Sequence, residues 1–255
     1  MIDLIVFSVG ENRYAMNIEN VQRIIQATNL TAIPNANENI DGMMSYEDRV
    51  IKVLNFRKLI NMSTYENELQ LLFTTLKAGH ESWVKSLINS IETGCKFTKT
   101  LDPHACGLGK WIDSFTAYDD HVVLVLNELT EFHKQLHTTG AKALEVYKQD
   151  KHAALQILNV DIMNIYEQTM GALDTFVKGL DLVANSLQKL IIYESGSVPF
   201  AIKVDTIEDI AHITEDLIIA SNQDDSEVNE SLTLEGVLDL KGVLINVIKT
   251  VKLPK

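Results

Sequence analysis

The chain has 255 residues, enough for one large domain or two smaller ones, and its 46% hydrophobic residues are typical of a globular protein. The net charge of −13 argues against nucleic acid and anionic membranes as partners, because both attract a basic surface. Two cysteines provide no disulfide framework, and no segment approaches the ~18 apolar residues of a membrane span. Because the first residues also lack the features of a signal peptide, we expect a cytoplasmic protein without membrane insertion.

Residues 1–63 are predicted to form short β-strands. An apolar run of strand-forming residues at 4–9 is followed by a turn at 10–12 and a returning strand, a pattern that predicts a hairpin. Two further strands are predicted on either side of a turn at Glu47-Asp48.

Residues 64–187 change to a helical pattern. Apolar residues recur every three or four positions at 65–91, 119–147 and 151–187, and a short helix is predicted at 106–115. Residues 188–255 return to strand patterns. The two outer segments together have the size of one domain, and insertion at a surface loop is tolerated because the entropy of loop closure grows slowly with length.

Three histidines and a cysteine in the helical segment suggest a metal site. His133 and His137 are four residues apart, so a helix places both rings on one face. Cys106 can add a thiolate and His80 a third nitrogen, and four such ligands suit the tetrahedral coordination of zinc. The alternative is that each histidine is an ordinary core residue on an apolar helix face.

The hexapeptide that begins at Cys106 reads Cys-Gly-Leu-Gly-Lys-Trp, and it resembles the Cys-x-x-Gly-Lys-Trp signature of the chemoreceptor zinc-binding (CZB) domain. The order of that family is a histidine shortly before a tryptophan, then the cysteine motif, then His-x-x-x-His. His80 with Trp83, Cys106, and His133 with His137 follow this order. The resemblance implies a four-helix bundle with a zinc site of three histidines and one cysteine.

The strand segments resemble the CheW-like chemotaxis coupling domain. The positions that carry this resemblance in the first segment are Phe7, Tyr14-Ala15, Ile18, Val21, Ile33-Pro34-Asn35, Gly42 and the strand at 50–54. In the last segment, Val204-Asp205-Thr206-Ile207 fits the Val-Asp-x-Val of the family. The family usually carries Arg-Gly in the late hairpin of the first segment, and that arginine is associated with partner contact. Glu47-Asp48 stands there in this chain, which puts the usual partner surface in doubt.

Together the resemblances imply an α+β multidomain protein. A CheW-like β-barrel domain of two small five-stranded barrels, residues 1–63 and 188–255, is interrupted by an antiparallel four-helix CZB bundle at 64–187. CheW-like domains couple chemoreceptors (methyl-accepting chemotaxis proteins) to a CheA-type histidine kinase, and CZB domains sense zinc, or oxidants through the metal-bound thiolate.

The resemblances therefore imply a non-enzymatic adaptor that is modulated by Zn²⁺. No catalytic residues are expected, and the sequence does not identify the residues that bind the partners. Its zinc ligands are expected to be His80, Cys106, His133 and His137.

Two alternatives remain open. The zinc could be purely structural and only hold the inserted helices together. A zinc hydrolase is the other alternative, but Lys134 stands where a metalloprotease carries its glutamate, and four protein ligands leave no open coordination position.

Overall fold

In the computed structural model the chain divides into two compact units. The β-unit comprises Met1–Tyr65 and Ala184–Lys255, and the helical unit comprises Glu66–Val183. The structure describes residues 1–194, 196, 198–220 and 227–254. The α+β class expected from the sequence is confirmed, because β-sheets and helices are both present in quantity.

The β-unit is built from strands of three to nine residues. In chain order these are β1 (Ile2–Val9), β2 (Asn12–Asn17), β3 (Val21–Gln26), β4 (Ile40–Tyr46), β5 (Arg49–Asn55), β6 (Lys189–Tyr193), β7 (Phe200–Val204), β8 (Thr206–Ile213), β9 (Ile218–Ala220), β10 (Glu227–Asn229), β11 (Leu232–Leu240) and β12 (Val243–Val251).

The described strands form two sheets. One follows the order β10-β11-β12-β2-β1-β8 with β9 also paired to β11, and the other follows β3-β6-β7-β5-β4. β1 pairs with β2 in the hairpin predicted from the sequence, with Phe7 opposite Tyr14. The two chain segments pair within both sheets, since β1 and β2 contact β8 and β12, and β3 and β5 contact β6 and β7.

The expectation of two five-stranded barrels is wrong for one sheet, which has seven described strands. The additional strands are β9 and β10, each three residues long, and both pair with the nine-residue strand β11. β11 has room for both because β10 pairs with Leu232 and Thr233, whereas β9 pairs with the later residues from Gly236 to Leu238. Strands this short give no alternating pattern that a sequence could reveal.

β1 is buried on both faces, and this explains its continuous apolar sequence. Leu4 and Val6 belong to one core cluster, while Phe7 and Val9 belong to another. In the second cluster the ring of Phe7 lies 5.8 Å from that of Tyr14. Successive strand residues point to opposite faces, so each face of β1 contributes to a separate core.

The helices follow the same chain order. They are α1 (Phe56–Leu59), α2 (Tyr65–Thr93), α3 (Gly107–Ser114), α4 (Asp120–Tyr147), α5 (Lys151–Gln156), α6 (Met163–Lys178) and α7 (Leu180–Leu187). A π-helical turn, Ile157–Ile162, joins α5 to α6.

The helix starts have local causes. Asp119 begins α4 because its carboxylate accepts hydrogen bonds from the backbone N–H groups of His121 and Val122. Asp150 begins α5 in the same way by accepting from Ala153. Within the described residues, none of the helices has both the length and the apolar character needed to cross a membrane.

Candidate metal centre

Three helices of the helical unit bring the predicted ligands together. α2 carries His80, α4 carries His133 and His137, and Cys106 precedes the first residue of α3. One potential ligand atom from each of these residues lies within 4.8 Å of the other three. We call this group the His3Cys cluster.

The ring of His80 is oriented by its own helix. Its Nδ1 lies 3.0 Å from the carbonyl oxygen of Leu76, one turn earlier, so Nδ1 carries the proton and donates it. Its Nε2 is then the unprotonated nitrogen, and it lies 3.8 Å from Sγ of Cys106. A backbone carbonyl that fixes the tautomer in this way is a frequent outer partner of metal-binding histidines.

Cys106 is held by the start of α3. Its Sγ accepts a hydrogen bond of 3.3 Å from the N–H of Gly109 and lies 3.1 Å from Nε2 of His133. Gly109 is required because a Cβ there would stand 1.7 Å from the carbonyl oxygen of Pro103. The sequence expectation placed Cys106 within a short helix, whereas its extended backbone makes it the N-cap residue.

His137 is the strongest indication that the cluster holds a ligand. Among the described residues, neither of its buried ring nitrogens has a hydrogen-bond partner, although the residue has no solvent-exposed surface. A buried polar group without a partner costs about 1–3 kcal/mol. A metal ion at the centre of the cluster would satisfy one of these nitrogens.

Burial adjusts the protonation of the histidines toward metal binding. It lowers the pKa of His133 to about 3 and that of His137 to about 4, with the neighbouring ring of His80 acting in the same direction. The nearby backbone of Leu101 raises the pKa of His137 and so partly offsets the effect of burial. It is nevertheless not placed to form a hydrogen bond with either ring nitrogen. Burial also lowers the pKa of His80. All three rings are therefore neutral at pH 7, which is the form that binds metals.

The cysteine behaves in the opposite sense. Burial raises the pKa of the Cys106 thiol, although backbone hydrogen bonds from Gly109 and Leu108 partly oppose this. The thiol consequently keeps its proton at neutral pH when no metal is bound. Metal binding would release that proton, since the ligand form is the thiolate.

The dimensions of the cluster suit a tetrahedral ion. Zn–N distances of about 2.0 Å and Zn–S distances of about 2.3 Å place the ligand atoms of such a site roughly 3.3–3.6 Å apart. The sulfur lies 3.1 Å from one imidazole nitrogen and 3.8 Å from another, and these separations bracket that range. The three nitrogens and one sulfur of the His3Cys cluster could therefore hold a metal ion after small side-chain adjustments.

Trp83 packs between His137 of the cluster and the backbone of α4 at Gly140. The indole of Trp83 lies 4.9 Å from the ring of His137, and its Nε1 donates a 2.8 Å hydrogen bond to the carbonyl of Thr100. The indole packs against the backbone of α4 at Gly140, where a Cβ would stand 2.4 Å from it. The sequence signal for this role was a glycine inside a strongly helical segment, one turn after His137.

His104 and the second cysteine, Cys95, are not part of the cluster. The exposed His104 pairs with Asp113, with 3.0 Å between Nδ1 and a carboxylate oxygen. Cys95 is an exposed free cysteine.

Replacing Gly140 with alanine is expected to destabilise the helical unit by about 1–3 kcal/mol, because the added methyl group displaces Trp83. Both tryptophans of the chain, Trp83 and Trp111, lie in this unit, so thermal unfolding followed by tryptophan fluorescence measures it. The control is Gly171→Ala in α6, where a Cβ meets no atom within 4 Å. That change should stabilise the helix by up to ~1 kcal/mol. Equal shifts for the two variants would contradict close packing at Gly140.

Residues 3–129 match the family model of the CheW-like domain. This match supports a CheW-like domain in the chain. The matched range begins in β1 and ends in α4, so it covers part of each unit and just under half of the 255 residues.

Individual relatives are distant. "Chemotaxis protein CheW" of Thermotoga maritima is 22% identical over 68 residues, which are 27% of this chain and 45% of that protein. The chain therefore spans less than half the length of this curated relative. The crystal structure of the scaffolding protein TtCheW from Thermoanaerobacter tengcongensis is 13% identical, with 97% of this chain and 88% of that chain covered. Its TM-score is 0.45.

Proposed function

We propose that this chain is a non-enzymatic chemotaxis adaptor whose coupling activity is modulated by a zinc site. In this proposal the β-unit is a CheW-like domain that couples chemoreceptors to a CheA-type histidine kinase in the cytoplasm. The helical unit is an inserted four-helix CZB domain. The observation that carries the proposal is the convergence of His80, Cys106, His133 and His137 on one point.

The donor set favours zinc over other ions. Imidazole and thiolate ligands in a tetrahedral arrangement suit zinc, whereas calcium and magnesium prefer oxygen ligands. Bound zinc would stabilise the thiolate form of Cys106 and link α2, α3 and α4 through their side chains. Four protein ligands leave no coordination position for a substrate, which favours sensing or structural support over hydrolysis.

The chain itself provides a route for the signal. α2 begins at Tyr65, where the chain leaves the β-unit, and α7 ends at Leu187, just before β6. A displacement of the helices on metal loss can therefore reach strands of the β-unit through two covalent connections. Purely structural zinc is the competing interpretation, and it predicts a site that neither exchanges metal nor reacts with oxidants.

The partner surface is proposed to differ from the usual one at the turn between β4 and β5. Glu47 and Asp48 are exposed there, and Glu47 has a left-handed backbone with φ of 52°. Two carboxylates in place of Arg-Gly reverse the local charge, so the partner groups facing this turn should be basic or neutral.

The proposed function predicts that the zinc-loaded protein binds a chemoreceptor cytoplasmic fragment, a CheA-type kinase, or both, and that removing zinc with a chelator changes this binding. Retention on immobilised protein measures both effects, with a conventional coupling protein as the positive control. The double change Glu47→Arg and Asp48→Gly should shift binding toward the partners of that control protein. If neither partner class is retained while the control protein retains them, the adaptor role is wrong.

A further inference from the structure

We infer that a narrow cleft beside His133 is the route by which small oxidants reach the sulfur of Cys106, and that its size excludes bulky oxidants. This inference rests on the proposed sensing function of the His3Cys cluster and specifies which oxidants it detects. The cleft lies between the loop before α3, α3 itself and α4.

The cleft leads from solvent to the cluster, in which the three histidines are buried and Cys106 is partly exposed. Its lining includes the exposed residues His104, Asp113 and Thr130 as well as Gly109 and His133, which are both buried. A solute that enters between the exposed side chains therefore meets a wall formed by the metal centre itself.

The inner wall of the cleft is in direct contact with the sulfur. Sγ of Cys106 lies 3.5 Å from the carbonyl oxygen of Pro103, 3.3 Å from the nitrogen of Gly109 and 3.1 Å from Nε2 of His133. All three of these residues line the cleft. Cys106 itself is not part of the lining, so the sulfur lies behind these three residues, of which Gly109 has no side chain.

The volume of the cleft sets the size limit. It is about 40 Å³, and a cavity of roughly 10–15 Å³ on this measure holds one water molecule. Hydrogen peroxide has two heavy atoms and fits such a space. An aromatic hydroperoxide such as cumene hydroperoxide does not fit unless α3 moves away from α4.

The reaction at the sulfur is balanced as follows. The thiolate attacks one oxygen of hydrogen peroxide, an S–O bond forms and the O–O bond breaks. The transferred oxygen keeps its hydrogen, so the sulfur loses two electrons and becomes a sulfenic acid directly, while the second oxygen leaves as hydroxide and takes one proton from solvent to form water. The thiolate donor is lost in this step, so bound zinc would be held by only three histidines and would be released more readily.

The test measures zinc release with a chromophoric chelator in zinc-loaded protein carrying Cys95→Ser, so that Cys106 is the remaining cysteine. Hydrogen peroxide and cumene hydroperoxide are compared at equal concentration. We expect hydrogen peroxide to act at least about tenfold faster, which corresponds to roughly 1.4 kcal/mol of barrier. Equal rates for the two oxidants would overturn the inference.

Variants on α4 test the route itself. Thr130→Trp should fill the cleft and slow the reaction with hydrogen peroxide by about tenfold or more. The control is Thr138→Trp. Thr138 is exposed on the same helix but does not line the cleft, and its hydroxyl, like that of Thr130, donates to a backbone carbonyl of the helix. Ile112→Ala should widen the cleft and accelerate the reaction with cumene hydroperoxide. This variant tests the route independently if Thr130→Trp disturbs the fold.

A second measurement separates this inference from the proposed function. Sulfenic acid at Cys106 is trapped with dimedone and quantified by mass spectrometry in the same samples. Trapping that Thr130→Trp slows, without zinc release from any variant, would support the cleft and reject the sensing function. Trapping and release that occur at the same rates in both tryptophan variants would reject the cleft and retain the sensing function.

Discussion

Replacing His133 with alanine is expected to abolish stoichiometric zinc binding and to remove the stabilisation that the metal gives to the helical unit. Residues that only hydrogen-bond to a metal ligand already contribute about 10–100-fold to metal affinity. The loss of a ligand itself should therefore lower the affinity by more than this. His133 lies closest to Cys106, at 3.1 Å, and its loss leaves three donors for an ion that needs four. The free energy of metal binding adds to the free energy of unfolding wherever the unfolded chain lacks the site.

The measurement is zinc per chain after gel filtration, together with the midpoint of unfolding by tryptophan fluorescence with and without zinc. Cys106→Ala should give the same result. The matched control is His121→Ala, an exposed histidine on the same helix α4 that is not part of the His3Cys cluster. It should retain one zinc per chain. If His133→Ala and Cys106→Ala also retained it, the ligand assignment would be wrong.

The local periodicity of the helices made much of the candidate site accessible from the sequence. Residues four apart on a helix share a face whatever the rest of the chain does, so the proximity of His133 and His137 follows from helix geometry. Their rings are 4.7 Å apart in the structure. The position of Cys106 is different, because it depends on a loop and on the N-terminus of a short helix. Only the resemblance of its hexapeptide to a known signature connected it with the histidines.

Features without a local signal were missed. The sequence predicted one long helix at 151–187, whereas the structure has a π-helical turn at Ile157–Ile162 and a break at Gly179 between α6 and α7. The apolar period continues through both irregularities because packing keeps Leu158 and Ile162 buried. A one-residue change in helical hydrogen bonding does not alter which residues are apolar, so the pattern cannot reveal it.

Long-range polar contacts in the β-unit were also beyond the sequence. Asp205 was recognised only as part of a family pattern, and Arg57 was given no role. In the structure they form a buried ion pair, with Nη2 of Arg57 2.7 Å from Oδ2 of Asp205 and side chains that are 1% and 8% exposed. The two residues are 148 positions apart in the chain, and only the pairing of strands from both segments brings them together.

This ion pair is the centre of a hydrogen-bonded network within the β-unit. Asp205 also accepts from the backbone N–H of Gly10, at 2.7 Å, and from the side-chain amide of Gln188, at 3.1 Å. Arg57 donates to the carbonyl oxygen of Ser63, at 2.9 Å. Ser63 and Gln188 stand next to the points where the chain passes between the β-unit and the helical unit. The network therefore fixes the β1–β2 turn and both of these chain segments.

Asp205→Ala is accordingly expected to destabilise the β-unit by about 3–5 kcal/mol, because it leaves the buried guanidinium of Arg57 without a counter-charge. The matched control is Glu208→Ala, which breaks the exposed ion pair with Arg13 and should cost less than about 1 kcal/mol. Urea unfolding followed by far-UV circular dichroism reports on both units, and tryptophan fluorescence reports on the helical unit alone, so the comparison locates the effect. Replacing both partners, with Arg57→Met and Asp205→Leu, should be less damaging than Asp205→Ala, since no unpaired charge remains. Similar losses for Asp205→Ala and Glu208→Ala would mean that the buried pair does not hold this unit together.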